Sequence, residues 1–431
     1  MNTKYDYSKK IITYTIKRKC DICGKYYYDK STLNTHLSNV HGPNKKKRCD
    51  ICGASFIYLN KHKKRCSLKR IVENKQNINK KEIEKMVNKY KKIRLTTNIF
   101  YFPELYVGHG GNNSVYYGKY LPQNIDLAIK FDDKKDNTFR ENYIAKKLNG
   151  IKGFPISYGC FNYKEKHFSA QTLLGPNLYK LYKFCNKTFS IRTICIIFLQ
   201  ILDRLENLHS YGFLHNDIKI TNLCWGAYCC GEIINKEIIY LIDFGSVSTY
   251  DYPVYEIKRN NKFILEFQNY KKEKINEIHG TPHYLDRTVL KGYRSTRKTE
   301  LISLIYLIIY IFKGKLPWSN IKDDNQINEV NGIKNKQKKT KIKDLFEGIP
   351  AEFYMVYTEI QRLNYNEIPK YEEYKEIINN LLISKGGNIN EKFCWEPKIE
   401  ELKKKLRNEI IDDEYKKKYF KLFKGYLFKD K

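Results

Sequence analysis

The sequence has no apolar run long enough to cross a membrane and no secretory signal at its start. The longest apolar run, at 301–312, is shorter than the ~18–20 residues that a span needs, so it predicts a buried core helix. The first 20 residues contain neither an apolar segment nor a small-residue cleavage site. Hydrophobic residues make up 42% of the chain, which excludes global disorder. We therefore expect an intracellular protein of the cytoplasm or nucleus, without a membrane span.

Acidic residues are scarce in relation to basic ones. The 431 residues include 80 Lys and Arg against 47 Asp and Glu, for a formal net charge of +33. Residues 1–100 hold 26 basic and 7 acidic residues, so this quarter carries more than half of the excess. Such asymmetry predicts a polyanionic partner: nucleic acid, an anionic membrane surface or an acidic protein. AT-rich coding, which favours Lys, Asn, Ile and Tyr codons together, is the alternative explanation.

Cysteines are unevenly spread along the chain. Five of the twelve fall in the first 66 residues, in Cys-x2-Cys pairs or close to histidine. In a chain without a secretory signal, this spacing favours metal binding over disulfides. The other seven, from Cys160 to Cys394, show no ligand spacing apart from the adjacent Cys229 and Cys230. We interpret those seven as core residues or loop thiols.

The first cysteine cluster has the ligand spacing of a structural zinc site. In the pattern Cys-x2-Cys-x12-His-x4-His, its ligands would be Cys20, Cys23, His36 and His41. A Cys-x2-Cys turn and two histidines about one helical turn apart can surround a tetrahedral Zn²⁺. Tyr27 and Leu33 would form its small apolar core. The cluster closely resembles the two-Cys, two-His zinc finger.

The second cluster is a shortened relative of the first. Its ligands would be Cys49, Cys52, His62 and Cys66. Phe56 and Leu59 repeat the core positions, and seven residues separate the two clusters, the usual linker length between tandem fingers. We predict tandem zinc fingers within residues 1–66, at 20–41 and 49–66. The alternative for the second cluster is a remnant that no longer closes around a metal.

The predicted fingers lack the side chains that read guanine. In fingers that bind DNA, three helix positions contact bases, and here those positions are Asp29, Thr32 and Thr35. None of them can make the bidentate contact of an arginine to guanine. Basic residues within and between the fingers could still grip phosphates without reading sequence. Non-specific nucleic-acid binding and docking of a protein are equal alternatives.

Two charged segments flank the rest of the chain. Residues 67–98 form a basic linker, in which Ile83, Met86, Val87 and Tyr90 follow a helical spacing with Lys around them. That pattern predicts a solvated linker helix. Residues 398–431 predict a charged C-terminal helix.

From Phe100 onward, alternating apolar residues and glycines predict a β-rich segment. The positions that stand out are Gly108, Gly110, Val115, Ala128 and Lys130. Two glycines between strands let the backbone approach a phosphate closely, and a Lys on a strand can fix the α- and β-phosphates of a nucleotide. Glu141 opens the helical pattern that follows and could form an ion pair with Lys130.

Two short segments further along the chain are the most informative. They are 214–223 (LHNDIKITNL) and 240–245 (YLIDFG). Phosphoryl transfer needs a carboxylate that orients the attacking hydroxyl, a cation near the transferred group and oxygen ligands for Mg²⁺. Asp217, Lys219, and the pair of Asn222 and Asp243 can supply these three functions in that order.

Together, these segments resemble the catalytic loop and the metal-binding motif of protein kinases. The stretch 173–178 (LLGPNL) is similar to the hinge of casein kinase I, and 280–284 (GTPHY), 296–301 (TRKTEL) and 348–353 (GIPAEF) follow in that family's order. The absence of an APE motif is typical of the casein kinase I and vaccinia-related kinase group. The resemblance implies a kinase domain at 99–397, with the adenine of ATP held by backbone at Leu174.

Four positions depart from the family's pattern. Asn113 replaces the third glycine of the phosphate loop, and Asn216 replaces the Arg of the HRD motif, so a phosphorylated loop would have no partner there. Glu300 stands where an Asp normally braces the catalytic loop, and its longer side chain could still accept backbone N–H bonds. His283 replaces an Arg that helps to form an anion pocket, which puts a preference for pre-phosphorylated substrates in doubt.

These observations predict an α+β protein with a bilobal kinase fold, made of a small β-rich lobe and a helical lobe, preceded by two small ββα zinc fingers. The resemblance implies an ATP-dependent serine/threonine protein kinase that uses Mg²⁺, acts on proteins with Ser or Thr, and carries Zn²⁺ in its fingers. The alternatives are a catalytically silent kinase-fold adaptor, which binds nucleic acid or protein through the fingers, and a small-molecule kinase. Composition and the fusion of fingers to a kinase suggest a large DNA virus or a protist as the source.

Overall fold

The computed structural model divides the chain into two compact units. One comprises Met1–Glu82 with Asp251–Asn269, and the other comprises Ile83–Tyr250 with Tyr270–Lys431. The structure describes residues 91–401 with short gaps and, before residue 91, four two-residue strands. The gaps are residues 111–112, 124, 133–134, 164–165, 227, 230–231, 234–236, 250–252, 260–261, 268–273, 276–277 and 400. All eight predicted zinc ligands, the helical stripe at 83–90 and the tail from 402 onward lie outside the described residues.

The described elements are numbered here in chain order. The strands are β1 (Arg18–Lys19), β2 (Tyr26–Tyr27), β3 (Lys47–Arg48), β4 (Ser55–Phe56), β5 (Ile93–Arg94), β6 (Ile99–Gly110), β7 (Asn113–Tyr120), β8 (Ile125–Asp132), β9 (Ser157–Tyr163), β10 (Lys166–Thr172), β11 (Phe213–Leu214), β12 (Leu223–Trp225), β13 (Tyr228–Cys229), β14 (Glu232–Ile233), β15 (Ile239–Leu241), β16 (Ser248–Thr249), β17 (Pro253–Arg259) and β18 (Lys262–Phe267). The helices are α1 (Lys135–Lys147), α2 (Leu178–Phe184), α3 (Ile191–Ser210), α4 (Arg287–Leu290), α5 (Arg297–Lys313), α6 (Gln326–Lys339), α7 (Ile342–Phe346), α8 (Ala351–Arg362) and α9 (Tyr371–Ser384).

The described part of the first unit consists of three antiparallel hairpins. Strand β1 pairs with β2, β3 pairs with β4, and β17 pairs with β18. In the sequence, the first hairpin brackets Cys20 and Cys23, and the second brackets Cys49 and Cys52. Each Cys-x2-Cys pair therefore falls between two paired strands along the chain.

The second unit begins with a six-stranded antiparallel sheet. Its strands lie in the order β5-β6-β7-β8-β10-β9, and helix α1 packs against β9 and β10. Tyr101, Phe131 and Phe168 pack together on one face, with ring centroids 4.0 to 5.7 Å apart. Strand β8 is flanked by β7 and β10, so Lys130 lies on an inner strand opposite Val115 and Ser169.

The end of the predicted helical linker is a strand instead. Residues 91–98 contain β5, which pairs with β6. Ile93 packs against the apolar cluster of the sheet, and the Arg94 guanidinium donates to the carbonyls of Thr96 and Thr97 at 3.2 and 3.1 Å. Because the helical stripe stops at Tyr90, the β-branched residues that follow are free to extend the sheet.

Helices form most of the rest of the second unit, around α3 and α5, together with the two-stranded pairs β11-β16, β12-β15 and β13-β14. Ten of the twelve residues 301–312 in α5 are buried, which confirms the core helix predicted there. Hydrogen bonds from Thr193 N to Ser190 and from Thr299 N to Thr296 cap the N-termini of α3 and α5. Within the described residues, no helix has both the length and the hydropathy of a membrane span.

Candidate active site

Lys130 lies at the centre of a buried charge cluster. Its Nζ atom donates to both carboxylate oxygens of Glu141 on α1, at 3.0 and 2.9 Å, and to Oδ1 of Asp243 at 2.9 Å. Lys130 and Glu141 are each only 6% exposed. The predicted ion pair between them is therefore confirmed, and Asp243 joins it.

Burial and charge act in opposite directions on this cluster. Burial disfavours the charged form of Lys130, but the carboxylates of Glu141 and Asp243 outweigh that effect and raise the pKa of Lys130. Burial raises the pKa of Glu141 more than Lys130 lowers it. Burial also opposes ionisation of Asp243, yet the charge and hydrogen bond of Lys130 outweigh it and hold the pKa of Asp243 below its usual range. A charged Lys130 and an ionised Asp243 therefore face each other at neutral pH.

Three donors hold the carboxylate of Asp217. Its Oδ1 accepts a hydrogen bond from the Thr281 hydroxyl at 2.7 Å, and its Oδ2 accepts from Asn222 Nδ2 at 3.0 Å. Lys219 Nζ lies 2.6 Å from the same Oδ2 and also donates to the Thr281 hydroxyl at 3.1 Å. The structure thus brings Asp217, Lys219 and Asn222 together, with Thr281 linking the first two.

Backbone hydrogen bonds tie this loop to the segment of Asp243. The amide of Ile242 donates to the carbonyl of Asn222 at 3.0 Å, and His215 Nε2 donates to the carbonyl of Ile242 at 3.0 Å. His215 Nδ1 accepts from the amide of Asp217 at 3.3 Å. The two oxygen ligands predicted for Mg²⁺ therefore lie on segments that are held in register.

The buried carboxylate of Glu300 holds the backbone of the loop that carries Asp217. Its Oε1 accepts from the amide of Asn216 at 2.6 Å, and its Oε2 lies 2.7 Å from His209 Nε2. The other ring nitrogen of His209 hydrogen-bonds the hydroxyl of Tyr371. Burial opposes ionisation of Glu300, but the hydrogen bond and charge of His209 outweigh it and lower the pKa of Glu300. The expectation that Glu300 can still accept a backbone N–H bond is confirmed.

Asn216 and Gly280 meet where the loop turns. Asn216 adopts the left-handed conformation (φ 65°), and its Nδ2 donates to Ser246 O at 2.8 Å and to Ser248 Oγ at 2.9 Å. Gly280 has φ 100°, and a Cβ atom there would lie 2.1 Å from the carbonyl oxygen of Asn216. Only glycine fits that position.

A cavity of about 290 Å³ opens beside the charge cluster. The predicted nucleotide-binding residues that line it are Gly108, Val115, Ala128, Lys130, Leu174, Asn222 and Asp243. Gly110 ends strand β6 next to residues 111–112, which are not described, and is not among the lining residues. A larger hollow of about 540 Å³ lies between α3 and α9 and contains none of the predicted catalytic residues.

At the edge of the cavity, the backbone of one residue makes no hydrogen bond within the described part of the chain. The amides of Leu173 and Gly175 donate to the carbonyls of Asp126 and Trp225, each at 3.0 Å. Leu174 makes no hydrogen bond within the described part of the chain. Its amide and carbonyl are therefore available to a ligand in the cavity.

Sequence reasoning missed several residues of this site. Thr221, Cys224 and Ile242 also line the cavity, and burial raises the pKa of the Cys224 thiol to about 12. Arg140 Nη2 donates to the carbonyl of Gly245 at 2.7 Å, which links α1 to the segment after Asp243. Arg140 stands directly before Glu141 in the sequence, but only the fold shows that its side chain reaches across to that segment.

His283 has a carboxylate for a neighbour. Its Nδ1 lies 3.8 Å from Oε1 of Glu329 on α6, and its carbonyl accepts from Trp318 Nε1 at 2.7 Å. Because Glu329 carries negative charge, the immediate surroundings of His283 do not favour an anion.

The family to which the chain belongs follows from comparison with known proteins. Residues 103–385, about two thirds of the chain, match the family model described as the protein kinase domain. The chain therefore belongs to the protein kinase domain family.

Casein kinase I homologues are among its curated relatives. The chain is 28% identical over 294 residues to "Casein kinase I homolog 3" of Schizosaccharomyces pombe, covering 67% of this chain and 63% of that protein. It is 26% identical over 292 residues to "Casein kinase I homolog RAG8" of Kluyveromyces lactis, covering 67% of this chain and 52% of that protein. The matched part thus spans between half and two thirds of the length of these relatives. The chain is thus similar to casein kinase I homologues over about two thirds of its length.

Proposed function

We propose that this protein is an ATP-dependent serine/threonine protein kinase of the casein kinase I type. The observation that carries the proposal is the convergence of two groups of side chains on one cavity. Lys130, paired with Glu141 and Asp243, forms one group, and Asn222 with Lys219 forms the other; both members of the second group contact Asp217 directly behind the cavity lining. A nucleotide and a protein hydroxyl need both groups at once.

In this proposal, Asp217 orients the substrate hydroxyl and takes its proton. The hydroxyl oxygen forms a bond to the γ-phosphorus of ATP, and ADP leaves. Lys219, 2.6 Å from Asp217, supplies positive charge near the transferred group. The ring of hydrogen bonds through Thr281 limits the positions that Asp217 can adopt, and in phosphoryl transfer positioning and charge supply most of the rate.

The residues present fit ATP and Mg²⁺. Lys130 would hold the phosphates, and the open backbone of Leu174 would hold the adenine. Asn222 Oδ1 makes no hydrogen bond in the described part of the chain, and Asp243 is an ionised carboxylate, so both offer the oxygen donors that Mg²⁺ prefers. When bound, Mg²⁺ would neutralise charge on the phosphates.

The experiment that tests the reaction offers casein and histone side by side with radiolabelled ATP. We expect the label in phosphoserine or phosphothreonine of at least one of the two proteins, and no label transferred to a small molecule. Label found only as phosphotyrosine, or only on a small molecule, would contradict the serine/threonine assignment.

The rival function is that of a kinase-fold adaptor without catalysis. The charge cluster argues against it, because a silent fold has no need for Lys130 buried between two carboxylates at a cost in desolvation. An adaptor would bind its partners equally well with or without Asp217.

We further propose that two zinc fingers in residues 1–66 direct the kinase to its partner, in the cytoplasm or nucleus. The support is the ligand spacing, together with the two hairpins that bracket Cys20 with Cys23 and Cys49 with Cys52 in the sequence. Both Cys₂His₂ and Cys₂HisCys donor sets suit Zn²⁺.

The partner of the fingers is either nucleic acid, gripped through its phosphates, or a docking protein. A fluorescence binding assay with duplex and single-stranded DNA over a range of salt concentrations separates the two. Nucleic-acid binding should weaken steeply with salt and disappear when residues 1–98 are deleted. If neither form of DNA binds at low salt, docking of a protein remains as the function of the fingers.

A further inference from the structure

A carboxylate on helix α6, that of Glu329, lies beside the segment that contacts Asp217. The Thr281 hydroxyl donates to Asp217 at 2.7 Å, and the 3₁₀ turn Pro282–Tyr284 follows directly. Helix α6 packs against that turn, where Nδ1 of His283 lies 3.8 Å from Oε1 of Glu329. Since successive Cα atoms are about 3.8 Å apart, the backbone of His283 lies within about 8 Å of that of Thr281.

The carboxylate of Glu329 is largely buried but has no hydrogen-bond donor among the described residues. Its side chain is 20% exposed, and 3.8 Å is too long for a hydrogen bond to His283. The residues one turn further along α6, which could pair with Glu329, are the uncharged Gly332 and Ile333. Because a partly buried charge without a donor costs free energy, a cation that reaches Glu329 would be stabilised there.

His283 is held in place by its backbone. Its carbonyl accepts a hydrogen bond from Trp318 Nε1 at 2.7 Å, and Gln337 of α6 donates to the nearby carbonyl of Leu285 at 3.0 Å. These bonds fix the turn against α6. Nε2 of His283 is buried and has no hydrogen-bond partner in the described part of the chain, so Nδ1 is the ring atom that faces Glu329.

The charges around Glu329 favour a basic side chain over a phosphate or a metal ion. Asp323 and Asp324, which are exposed and precede α6, add negative charge at the same end of the helix and would repel a phosphate. A metal ion would need further ligands, and no group of three metal-ligating side chains occurs among the described residues. Lys219 of this chain lies 2.6 Å from Asp217 instead.

We propose that Glu329 and His283 form a specificity subsite that binds a Lys or Arg of the protein substrate close to the Ser or Thr that is phosphorylated. This inference rests on the proposed kinase activity and adds the class of substrate to it. The ammonium or guanidinium group would donate to Glu329 and supply the missing hydrogen bond. An extended peptide advances about 3.3 Å per residue, so a basic residue two or three positions from the acceptor would reach the subsite.

The net charge of the whole chain, +33, does not oppose this preference. At physiological salt, charges act over about 8 Å, so the carboxylate at the subsite has more influence on a bound side chain than distant lysines have. An acidic or phosphorylated residue at the same position of the substrate would meet Glu329 directly and be rejected.

The test uses the full chain, radiolabelled Mg-ATP and a set of peptides that contain one serine. Lys, Ala, Glu or phosphoserine is placed in turn at each of the four positions on either side of that serine, in an otherwise neutral peptide. We expect one position within three residues of the serine at which kcat/KM for Lys exceeds that for Glu and for phosphoserine about fivefold or more, with Ala between them.

Variants assign the preference to the subsite. Glu329→Gln keeps the size of the side chain and removes its charge, so the preference for Lys over Glu at that position should fall below about twofold. Glu329→Lys should reverse it and favour phosphoserine. Glu376→Gln is the matched control, because Glu376 is exposed on α9 and lines the hollow that contains none of the predicted catalytic residues. The control should keep the wild-type preference.

Two failures can be told apart. If wild type phosphorylates the peptides without preferring a basic residue, or if Glu329→Gln keeps the full preference, the subsite is wrong and the kinase function stands. If wild type labels no peptide and neither casein nor histone, the kinase function fails and the subsite fails with it. The comparison among peptides is made on the unmodified protein and does not depend on how the variants fold.

Discussion

Lys130 and Asp217 lie in different hydrogen-bond networks. We assign nucleotide binding to the first network and phosphoryl transfer to the second. Lys130 contacts Glu141 and Asp243 at the wall of the cavity, whereas Asp217 contacts Lys219, Asn222 and Thr281. In the proposed function, the first side chain holds phosphates of the nucleotide and the second faces the protein substrate.

We therefore expect Lys130→Met to weaken ATP binding much more than Asp217→Asn does. The methionine removes the positive charge that positions the phosphates, while the asparagine keeps the shape of Asp217, removes its carboxylate and leaves Lys130 in place. Calorimetric titration with Mg-ATP measures both. Equal loss of affinity in the two variants would contradict the assignment of Lys130 to the phosphates.

Glu300 provides a prediction about pH. Its pKa is lower in the folded protein than the ~4.3 of an exposed Glu, so its ionised form stabilises the fold above that value, and the contribution is lost as pH falls through the folded pKa. Glu300→Gln should lower the urea midpoint at pH 5, and its difference from wild type should shrink at pH 3.5. A difference that grows from pH 5 to 3.5 would contradict this account.

The same variant should separate positioning from binding. Since Glu300 acts on Asp217 through the backbone of Asn216, its loss should lower kcat and leave the KM for ATP nearly unchanged. Glu300→Asp is the conservative control, because it keeps the charge but is one methylene shorter.

Some residues of the site could be predicted from the sequence, and others could not. Lys130, Glu141, Asp217, Asn222 and Asp243 could be found because their chemistry requires fixed residue types at fixed spacings. The contact between Thr281 and Asp217 could not be predicted, because 64 residues separate the two and only the fold brings them together.

At the scale of elements, the segment after Asp243 is held by hydrogen bonds to backbone carbonyls and to a hydroxyl. Asn216 donates to Ser246 and Ser248, and Arg140 donates to the carbonyl of Gly245. At the HRD position, where an arginine would pair with a phosphorylated loop, Asn216 has no charge to offer.

Activity should therefore be independent of phosphorylation in residues 246–279. Enzyme expressed in bacteria should be active, and phosphatase treatment should leave its initial rate nearly unchanged. A large fall in rate after phosphatase, reversed by incubation with ATP, would show that a phosphorylated residue supports the active form.

The predicted fingers give an expectation about metal removal. A unit this small has too little core to fold alone, and structural zinc supplies roughly 10 kcal/mol or more, so a chelator should unfold residues 1–66. Limited proteolysis should then cut within that range while Mg-ATP binding survives. Absence of zinc by metal analysis, or loss of nucleotide binding on chelation, would contradict this division of roles.

A long apolar helix was easier to predict than a short edge strand. The core helix at 301–312 was predictable because burial on all sides leaves an unbroken apolar run. Strand β5 was not, because two residues at a sheet edge carry too little pattern to be separated from the basic linker before them.

At the scale of the whole molecule, most of the excess positive charge and the predicted catalytic residues lie in different parts of the chain. Residues 1–100 carry more than half of the net charge of +33, whereas the predicted catalytic residues all lie between Lys130 and Asp243. We infer that the basic front selects where the protein acts and that the kinase domain supplies the reaction.

The central claim is that the kinase domain transfers phosphate, and the most direct measurement compares wild type with Asp217→Asn. Both proteins are incubated with radiolabelled Mg-ATP and with casein, histone or no added substrate, after ATP binding has been confirmed for each. We predict transfer by wild type and a loss of at least about a hundredfold in the variant. A wild-type protein that binds Mg-ATP but labels neither casein, histone nor itself would contradict the account and favour the adaptor.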